Sequence, residues 1–106
     1  MHEPKQQLRQ LFQANQSLFV ALGDSYRQAI LLMMGEEVAL SVGEIANRMQ
    51  LSRPTVSHHI KILRQANLVA EKRIGVRRYY YPIFIHHLPA LKQMVSALEE
   101  LEQKGD

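Results

Sequence analysis

The stretch SVGEIANRMQLSRPTVSHHIKILRQA, residues 41–66, carries two helical patterns separated by a tight turn. Ser41 and Glu44 have the spacing of a capping box, in which a hydroxyl and a carboxylate bind the free amides of a helix's first turn. Ser52 is placed to cap the second helix in the same way. Residues 41–66 are therefore predicted to form a helix-turn-helix.

The residues that follow change period and predict a hairpin. The segment LVAEKRIGVRRYYYP, residues 68–82, contains two short strand patterns around Gly75. A helix-turn-helix followed by such a hairpin is a winged helix-turn-helix. The predicted fold class is thus mainly α with a β-hairpin wing, in one domain over residues 1–106.

Helices 5–22 and 88–103 flank this region in the predicted order, and their apolar residues recur every three or four positions, with Asn15 interrupting the stripe of the first helix. This spacing, narrow in the last helix, is typical of a coiled-coil contact, so both helices are predicted to form a dimer interface. Where the last helix begins, near Pro89, stays open. The predicted interface residues are Leu8, Leu11, Phe12, Leu18, Leu91, Met94, Leu98 and Leu101.

The composition excludes several classes of protein. The chain has 106 residues, a net charge of +3 and no cysteine, which excludes disulfides, thiolate zinc sites and thiol redox sensing. No apolar run is long enough to span a membrane, and the N-terminus lacks the apolar core of a secretory signal. We therefore expect a cytoplasmic protein without a membrane partner, with a basic excess compatible with an anionic partner.

The outward face of the second helix is polar and suits DNA. With Val56, Ile60 and Leu63 facing the core, a helical wheel places His58 and Lys61 on the opposite side. Hydroxyl, imidazole and ammonium groups can donate to phosphates and to base edges in the major groove. His58 and His59 are adjacent and do not share a face, so they do not form a chelating pair.

The hairpin adds a basic loop. Lys72, Arg73, Arg77 and Arg78 surround Gly75, a pattern that fits contacts with the DNA backbone or the minor groove. The hairpin tyrosines at 79–81 and the five methionines are interpreted as packing residues rather than base-stacking or metal-binding groups.

The run LSVGEIANRMQLSRPTVSHHIKILRQANLVAEKRIGVRRYYY resembles the winged-helix core of the ArsR/SmtB family of bacterial repressors. The preceding ALGDSYRQAILLMM resembles that family's preceding helix, so the resemblance covers residues 21–81. It implies a homodimer whose first and last helices pair across the two-fold axis and whose recognition helix enters the major groove. It also implies that Thr55, Ser57, His58 and His59 lie at or near DNA. The helical wheel turns His59 toward the core side, so this residue is predicted to pack at the edge of the core and only graze DNA.

The predicted function is a dimeric, sequence-specific DNA-binding repressor. Helix 53–66 would enter the major groove, and the wing would lie on the flanking backbone of an inverted-repeat operator with half-sites about 34 Å apart. Neither the effector nor the regulated genes follow from the sequence. The predicted DNA-binding residues are Arg53, Thr55, Ser57, His58, His59, Lys61, Arg64, Arg73, Arg77 and Arg78.

No metal or other cofactor is predicted, although metal sensing is common in this family. The cysteine pair of one family site is absent. At the family's C-terminal site the aligned positions are Ile85, His87, Leu98 and Leu101, of which only one is a ligand type. The alternative, a metal-responsive repressor, would need a shifted site built from His86 or His87 with Glu99 and Glu102 of a partner chain.

Two further functions compete with DNA binding. One is a protein-interaction module that keeps the winged-helix shape, which would lack groove-compatible residues on the recognition helix. The other is a small enzyme using Ser57 with His58 or His59, but no glycine-rich elbow or positioned acid accompanies them. The chain is therefore predicted not to be an enzyme.

Overall fold

The computed structural model describes residues 3–35 and 38–104, and these residues form a mainly helical chain with one antiparallel hairpin, which confirms the predicted fold class. In chain order the elements are α1 (Pro4–Ala14), α2 (Gln16–Leu22), α3 (Ser25–Met33), α4 (Val42–Met49), α5 (Arg53–Gln65), β1 (Val69–Ile74), β2 (Arg77–Pro82), a 3₁₀ helix (Ile85–His87) and α6 (Leu88–Lys104).

The described residues divide into two compact units. Residues 17–84 contain most of α2 together with α3, α4, α5 and the hairpin, which we call the wing. Residues 3–16 and 85–104 contain α1, the 3₁₀ helix and α6. The helix-turn-helix and the wing therefore lie in one unit, and the first and last helices lie in the other.

The first helix differs from its prediction as one continuous segment over 5–22. It is divided at Asn15, which has the non-helical dihedral angles φ −113° and ψ 21°. The Asn15 side-chain amide donates to the Leu11 carbonyl at 2.8 Å, and its backbone amide donates to the same oxygen. A short polar side chain that competes for backbone partners in this way ends a helix.

Local capping holds the helix-turn-helix in the predicted places. The capping box of Ser41 and Glu44 is present, with both bonds formed. The Ser52 hydroxyl accepts from the Thr55 amide at 3.2 Å and begins α5. Between the helices, Gln50 takes a left-handed conformation with φ 55°, which turns the chain sharply after α4.

The apolar sides of α3, α4 and α5, with the segments next to them, form a core. Its fully buried residues include Ile30, Leu40, Ile45, Val56, Leu63 and Leu68.

The inner side of α3 differs from the simplest hydrophobic pattern. In the sequence, Tyr26 and Ala29 continue the apolar pattern of Ile30 and are predicted to face inward, but both are exposed, and Tyr26 retains 51% of its surface. The buried stripe instead contains Arg27, together with Ile30 and Leu31. A charged residue is buried in a helix only when its donors find acceptors, and Arg27 has such partners.

The wing is attached to the helix-turn-helix at its base and projects at its tip. Gly75, with φ +64°, supplies the positive φ of the two-residue loop, and Val76 beside it is completely exposed. At the base, Leu40 and Tyr80 exchange two backbone hydrogen bonds of 2.9 and 2.8 Å. This bridge just before α4 was not predicted, because pairing between distant segments leaves no local pattern.

In the other unit, α1 packs against α6. Leu8 of α1 and Met94 of α6 are buried within the single chain, although both were assigned to a dimer interface. Leu18, in the helix-turn-helix unit, is also buried, at 1% exposure. These three side chains have almost no surface left for a second protomer, because they already fill contacts inside their own chain.

The exposed side of α6 carries a different apolar stripe from the predicted one. It keeps the predicted Leu91 and Leu98, both exposed, and adds Leu88 and Val95 at three- and four-residue intervals. Helix α6 begins at Leu88, so Pro89 lies in its first turn, where a missing amide hydrogen costs nothing.

Within 3–35 and 38–104, no helix has both the length and the apolar content needed to cross a bilayer.

Candidate nucleic-acid interface

Helix α5 presents most of its predicted DNA-binding residues to solvent. Ser57, His58 and Lys61 are exposed along its outer face, and Arg53 and Arg64 lie near its two ends with solvent-accessible side chains. Thr55 is also exposed, but its hydroxyl accepts a 2.8 Å hydrogen bond from Ser52. The arginines predicted on the wing are exposed as well, at positions 73, 77 and 78.

His59 differs from the other predicted DNA-binding residues because it is buried. It retains only 8% of its surface, and its ring stacks on that of Tyr26 with centroids 6.0 Å apart. Its Nδ1 atom lies 3.3 Å from Nη1 of Arg27. His59 therefore packs between α3 and α5, and its side chain has no open path to DNA.

Arg27 links three elements around His59. Its Nε donates to the Ala21 carbonyl at 2.8 Å and its Nη2 to the Val20 carbonyl at 2.9 Å, near the end of α2. Helix ends leave carbonyls without their usual helical partners, although the Val20 carbonyl also accepts from the Gly23 amide at 3.3 Å. The Arg27 backbone amide also donates to the Asp24 carboxylate, which lowers the pKa of that carboxyl. Arg27 thus joins α2 and α3 to the buried side of the candidate recognition helix.

The position of Arg27 fixes the protonation of its partner. A guanidinium can only donate, so Nδ1 of His59 is the acceptor, and a neutral ring carries its proton on Nε2. Burial lowers the pKa of His59 most, and the charges of Arg27 and His58 act in the same direction, while Asp24 opposes them. His59 is therefore neutral in the folded protein at neutral pH.

We expect the folded protein to lose stability as the pH falls from 7 to 5. Because the folded-state pKa of His59 is lowered, its contribution is fully present above the unfolded value of 6.5 and is lost as the pH falls from there through the lower folded-state pKa. Urea unfolding at intervals across this range measures the effect. The variant His59→Asn keeps an acceptor for Arg27 but cannot titrate, so its stability should change less.

The contribution of His59 to stability is lost at a higher pH than the contributions of the carboxylates. The pKa values of Asp24 and Glu44 are also lowered, but their contribution is present above the unfolded values of 3.8 and 4.5 and is lost below them. Equal slopes for the wild type and His59→Asn between pH 7 and 5 would contradict the assignment to His59.

An open groove of about 770 Å³ lies between α4, α5 and the wing. Three arginines line it, Arg53 from α5 and Arg77 and Arg78 from the wing, together with Ser41, Val42, Gly43, Glu44, Ser57, Tyr79 and Tyr80. Gly43 allows close approach, because a Cβ at this position would lie 2.9 Å from Nη2 of Arg53. The groove brings cations from two separate elements to one surface.

The groove also contains one carboxylate with a fixed charge. The Ser41 amide, followed by the Ser41 hydroxyl, lowers the pKa of Glu44, and Arg48 and Arg77 add to this effect. Glu44 therefore stays ionised as part of the helix cap. Its hydrogen bond to the Ser41 amide holds the first turn of α4, which gives this carboxylate a structural role.

The candidate ligands of the alternative metal site lie on two adjoining segments. His86 and His87 lie in the 3₁₀ helix, and Glu99 and Glu102 lie on α6. Among residues 3–35 and 38–104 no group of three or more His, Asp or Glu side chains comes together in a way that could hold a metal ion.

Sequence reasoning missed two charged residues of the unit that contains the helix-turn-helix and the wing. Arg27 lies on the inward side of α3 with Ile30 and Leu31. Its helical spacing from these two apolar residues was the signal that could have indicated its burial. Glu71 lies within 4 Å of Arg64, Arg73 and Arg78, and its signal was a lone acid in a basic hairpin.

Known proteins resemble the chain over most of its length. A family model described as a helix-turn-helix domain matches residues 22–72. The HTH-type transcriptional regulator MJ1325 of Methanocaldococcus jannaschii is 30% identical over 84 residues, which cover 79% of this chain and 90% of that protein. The transcriptional repressor SdpR of Bacillus subtilis is 37% identical over 65 residues, 60% of this chain and 70% of the relative.

Relatives of the arsenic-resistance type share a smaller part of their own length. The arsenic resistance transcriptional regulator ArsR1 of Pseudomonas putida is 32% identical over 81 residues, which cover 76% of this chain and 59% of that protein. The chain therefore spans a little over half of this relative.

Solved structures share the fold. An ArsR-like transcriptional regulator from Rhodococcus sp. RHA1 superposes with a TM-score of 0.79 at 22% identity, covering 88% of this chain and 84% of that one. The homodimeric winged helix-turn-helix DNA-binding domain Mb0332 (fragment 1–100) of Mycobacterium bovis gives 0.63 at 24% identity, covering 96% and 93%. With the helix-turn-helix, the wing and these relatives together, the chain belongs to the ArsR/SmtB family of winged helix-turn-helix transcriptional regulators, which are not enzymes.

Proposed function

We propose that the protein is a dimeric, sequence-specific DNA-binding repressor, with residues 1–106 acting as one DNA-binding domain. The observation that carries the proposal is the exposed polar face of α5, formed by Ser57, His58 and Lys61 next to an arginine-lined groove. A repressor function is supported by the relative SdpR, which is named as a transcriptional repressor.

In this proposal α5 lies in the major groove. A helix of 13 residues is about 20 Å long and has the diameter that the groove of B-form DNA accommodates. Ser57, His58 and Lys61 would face base edges, and Arg53 at the start of the helix would bind a phosphate. Thr55 and Arg64 would contact DNA at the edges of this surface.

The wing would contact the DNA that flanks the major-groove site. Arg73, Arg77 and Arg78 extend from the strands, and the exposed Val76 lies at the tip between them. Arginines near a narrow hairpin tip can neutralise backbone phosphates or enter the minor groove. Such contacts add affinity and position the recognition helix, whereas base contacts along α5 supply the sequence preference.

Dimerisation would use the unit formed by α1 and α6. Leu88, Leu91, Val95 and Leu98 form an exposed apolar stripe on α6 with the spacing of a helix-pairing seam. Phe12 on α1 is a further exposed apolar residue, while Leu11 and Leu101 are partly exposed. The homodimeric domain from Mycobacterium bovis supports this assembly. A two-fold dimer would read an inverted repeat with half-sites about 34 Å apart.

Fluorescence polarisation tests the proposal. The probes are the promoter DNA adjoining the protein's own gene and the tightest-binding duplex selected from a random-sequence library, each measured across a salt series with and without Zn²⁺. Tight binding that weakens steeply with salt is expected, because phosphate contacts release counterions. Release by Zn²⁺ would instead favour the metal-responsive alternative. A dimer that binds none of these duplexes would contradict the proposal and favour the protein-interaction module.

Replacing Arg77 with glutamine should weaken binding to every duplex by a similar factor. The substitution removes one phosphate interaction per protomer, and each such interaction contributes about 0.9 to the slope of log affinity against log salt, so the slope should decrease accordingly. The variant Arg9→Gln, which removes the same charge from α1, is the matched control. A change confined to one base position of the operator would contradict the phosphate role.

A further inference from the structure

One carboxylate lies among the arginines of the proposed DNA surface. The carboxylate of Glu71 on β1 is 3.8 Å from Nη1 of Arg64, 3.6 Å from Nε of Arg73 and 3.8 Å from Nε of Arg78. The Tyr80 hydroxyl donates to it at 3.4 Å. The Glu71 side chain is only 17% exposed, whereas the three arginine side chains are 47%, 62% and 57% exposed. A sheltered anion is therefore covered by cations that remain open to solvent.

The register of the wing explains this cluster. Glu71 pairs with Tyr80, and Arg73 pairs with Arg78, so alternation places all four side chains on one face of the hairpin. That face is directed toward α5, because Tyr80 is buried and the Arg64 guanidinium lies 5.9 Å from its ring centre. Glu71 thereby connects the recognition helix to both strands of the wing.

The three ion pairs are of a kind that a phosphate can replace. Each is longer than a hydrogen bond, and each involves an arginine that is about half exposed. Exposed pairs of this geometry contribute little individually. DNA phosphates compete with the Glu71 carboxylate for the same guanidinium groups. A phosphate can bind one of these arginines only if the arginine leaves the carboxylate or contacts both anions.

We propose that Glu71 is a specificity-determining positioning residue, an internal anion that restrains three arginines from binding the phosphates of unrelated DNA. The inference rests on the proposed function of DNA binding. Complexes with unrelated DNA depend almost wholly on phosphate contacts, so restraining these arginines weakens them directly. In the operator complex, base contacts from α5 contribute as well, and Glu71 keeps Arg64 in one orientation beside Tyr80.

The decisive experiment compares Glu71→Gln with Glu99→Gln on the full chain. Glu71→Gln keeps an acceptor for Tyr80 but removes the charge, and Glu99→Gln makes the same change on the exposed side of α6. Affinities are measured for the selected operator duplex and an unrelated duplex across a salt series. For Glu71→Gln we expect unrelated DNA to bind about tenfold more tightly, since three weak pairs are removed at once. The salt slope should steepen, and the operator affinity should rise less.

A second variant separates position from charge. Glu71→Asp keeps the net charge but withdraws the carboxylate by about 1.5 Å, the length of one carbon–carbon bond. We expect it to bind unrelated DNA more tightly than the wild type, though less tightly than Glu71→Gln. It also serves if Glu71→Gln does not fold, since it retains an anion at the same backbone position.

Each outcome decides one of the two claims. Suppose that the wild type binds the operator more tightly than unrelated DNA. If Glu71→Gln then binds unrelated DNA with the same affinity as Glu99→Gln, and Glu71→Asp with the same affinity as the wild type, the role of Glu71 is refuted and DNA binding stands. A weaker affinity of Glu71→Gln for unrelated DNA would also refute it. A folded wild-type dimer that binds neither duplex would refute the proposed function, and the role of Glu71 with it.

Discussion

Replacing both Ser57 and His58 with alanine is expected to lower operator affinity by at least about 100-fold, which corresponds to roughly 3 kcal/mol. Both side chains are exposed on the outer face of α5, and a dimer would lose them at both half-sites. Affinity for unrelated DNA should stay within about twofold, because the arginines proposed to bind phosphates are unchanged. Fluorescence polarisation with both duplexes at one salt concentration measures the difference.

The matched control for this double variant is Ser96→Ala with His86→Ala. These residues are of the same types and are exposed in the unit of α1 and α6. Size-exclusion chromatography with light scattering should find both double variants in the same oligomeric state as the wild type. Full operator affinity in an intact Ser57/His58 variant would show that another surface reads the DNA.

Replacing Arg27 with methionine is expected to destabilise the fold by about 2–4 kcal/mol. Methionine has a similar length and favours helices, so the effect would come from removing the bonds to the Ala21 and Val20 carbonyls and to His59. The Ala21 carbonyl and Nδ1 of His59 are the buried acceptors that would lose the Arg27 donor and carry the cost of their desolvation. The Val20 carbonyl, by contrast, also accepts from the Gly23 amide. For a chain of this size the midpoint of thermal unfolding should fall by about 10–20 °C.

Arg48→Met is the control for the buried arginine. Arg48 is exposed in the last turn of α4, and its replacement should change stability by about 0.5 kcal/mol or less. Circular dichroism at one protein concentration follows thermal and urea unfolding of both variants, since the proposed dimerisation would link stability to concentration. Equal stabilities of Arg27→Met and Arg48→Met would contradict the structural role of Arg27.

The parts of the fold that depend on local chemistry followed from the sequence. The capping box at Ser41, the cap at Ser52 and the turn at Gly75 each use residues a few positions apart, and the structure has all three. The outer face of α5 was predictable for the same reason, because helical periodicity alone separates His58 from Ile60. These features account for the helix-turn-helix and the wing.

The parts that depend on distant partners did not follow. Arg27 and His59 are 32 positions apart, so the burial of Arg27 beside this ring did not follow, although the helical wheel already placed His59 at the edge of the core. The division of the first helix at Asn15 also did not follow, although its cause is local: one side-chain hydrogen bond to the Leu11 carbonyl competes with the helix. One member of the predicted seam of α6, Met94, is buried within the chain while Val95 is exposed, because a strict repeat could not distinguish these two sides of the helix.

The backbone bridge between Leu40 and Tyr80 ties one end of the wing to the rest of its unit. At its base, the hairpin is continuous with the segment that leads into α4, so this end must follow any rotation of the helix-turn-helix. The tip around Gly75 and Val76 lies several residues beyond this bridge and extends into solvent. In the proposed complex the hairpin would therefore be held at its base by backbone hydrogen bonds to the segment before the helix-turn-helix, and it would meet the DNA with its exposed tip.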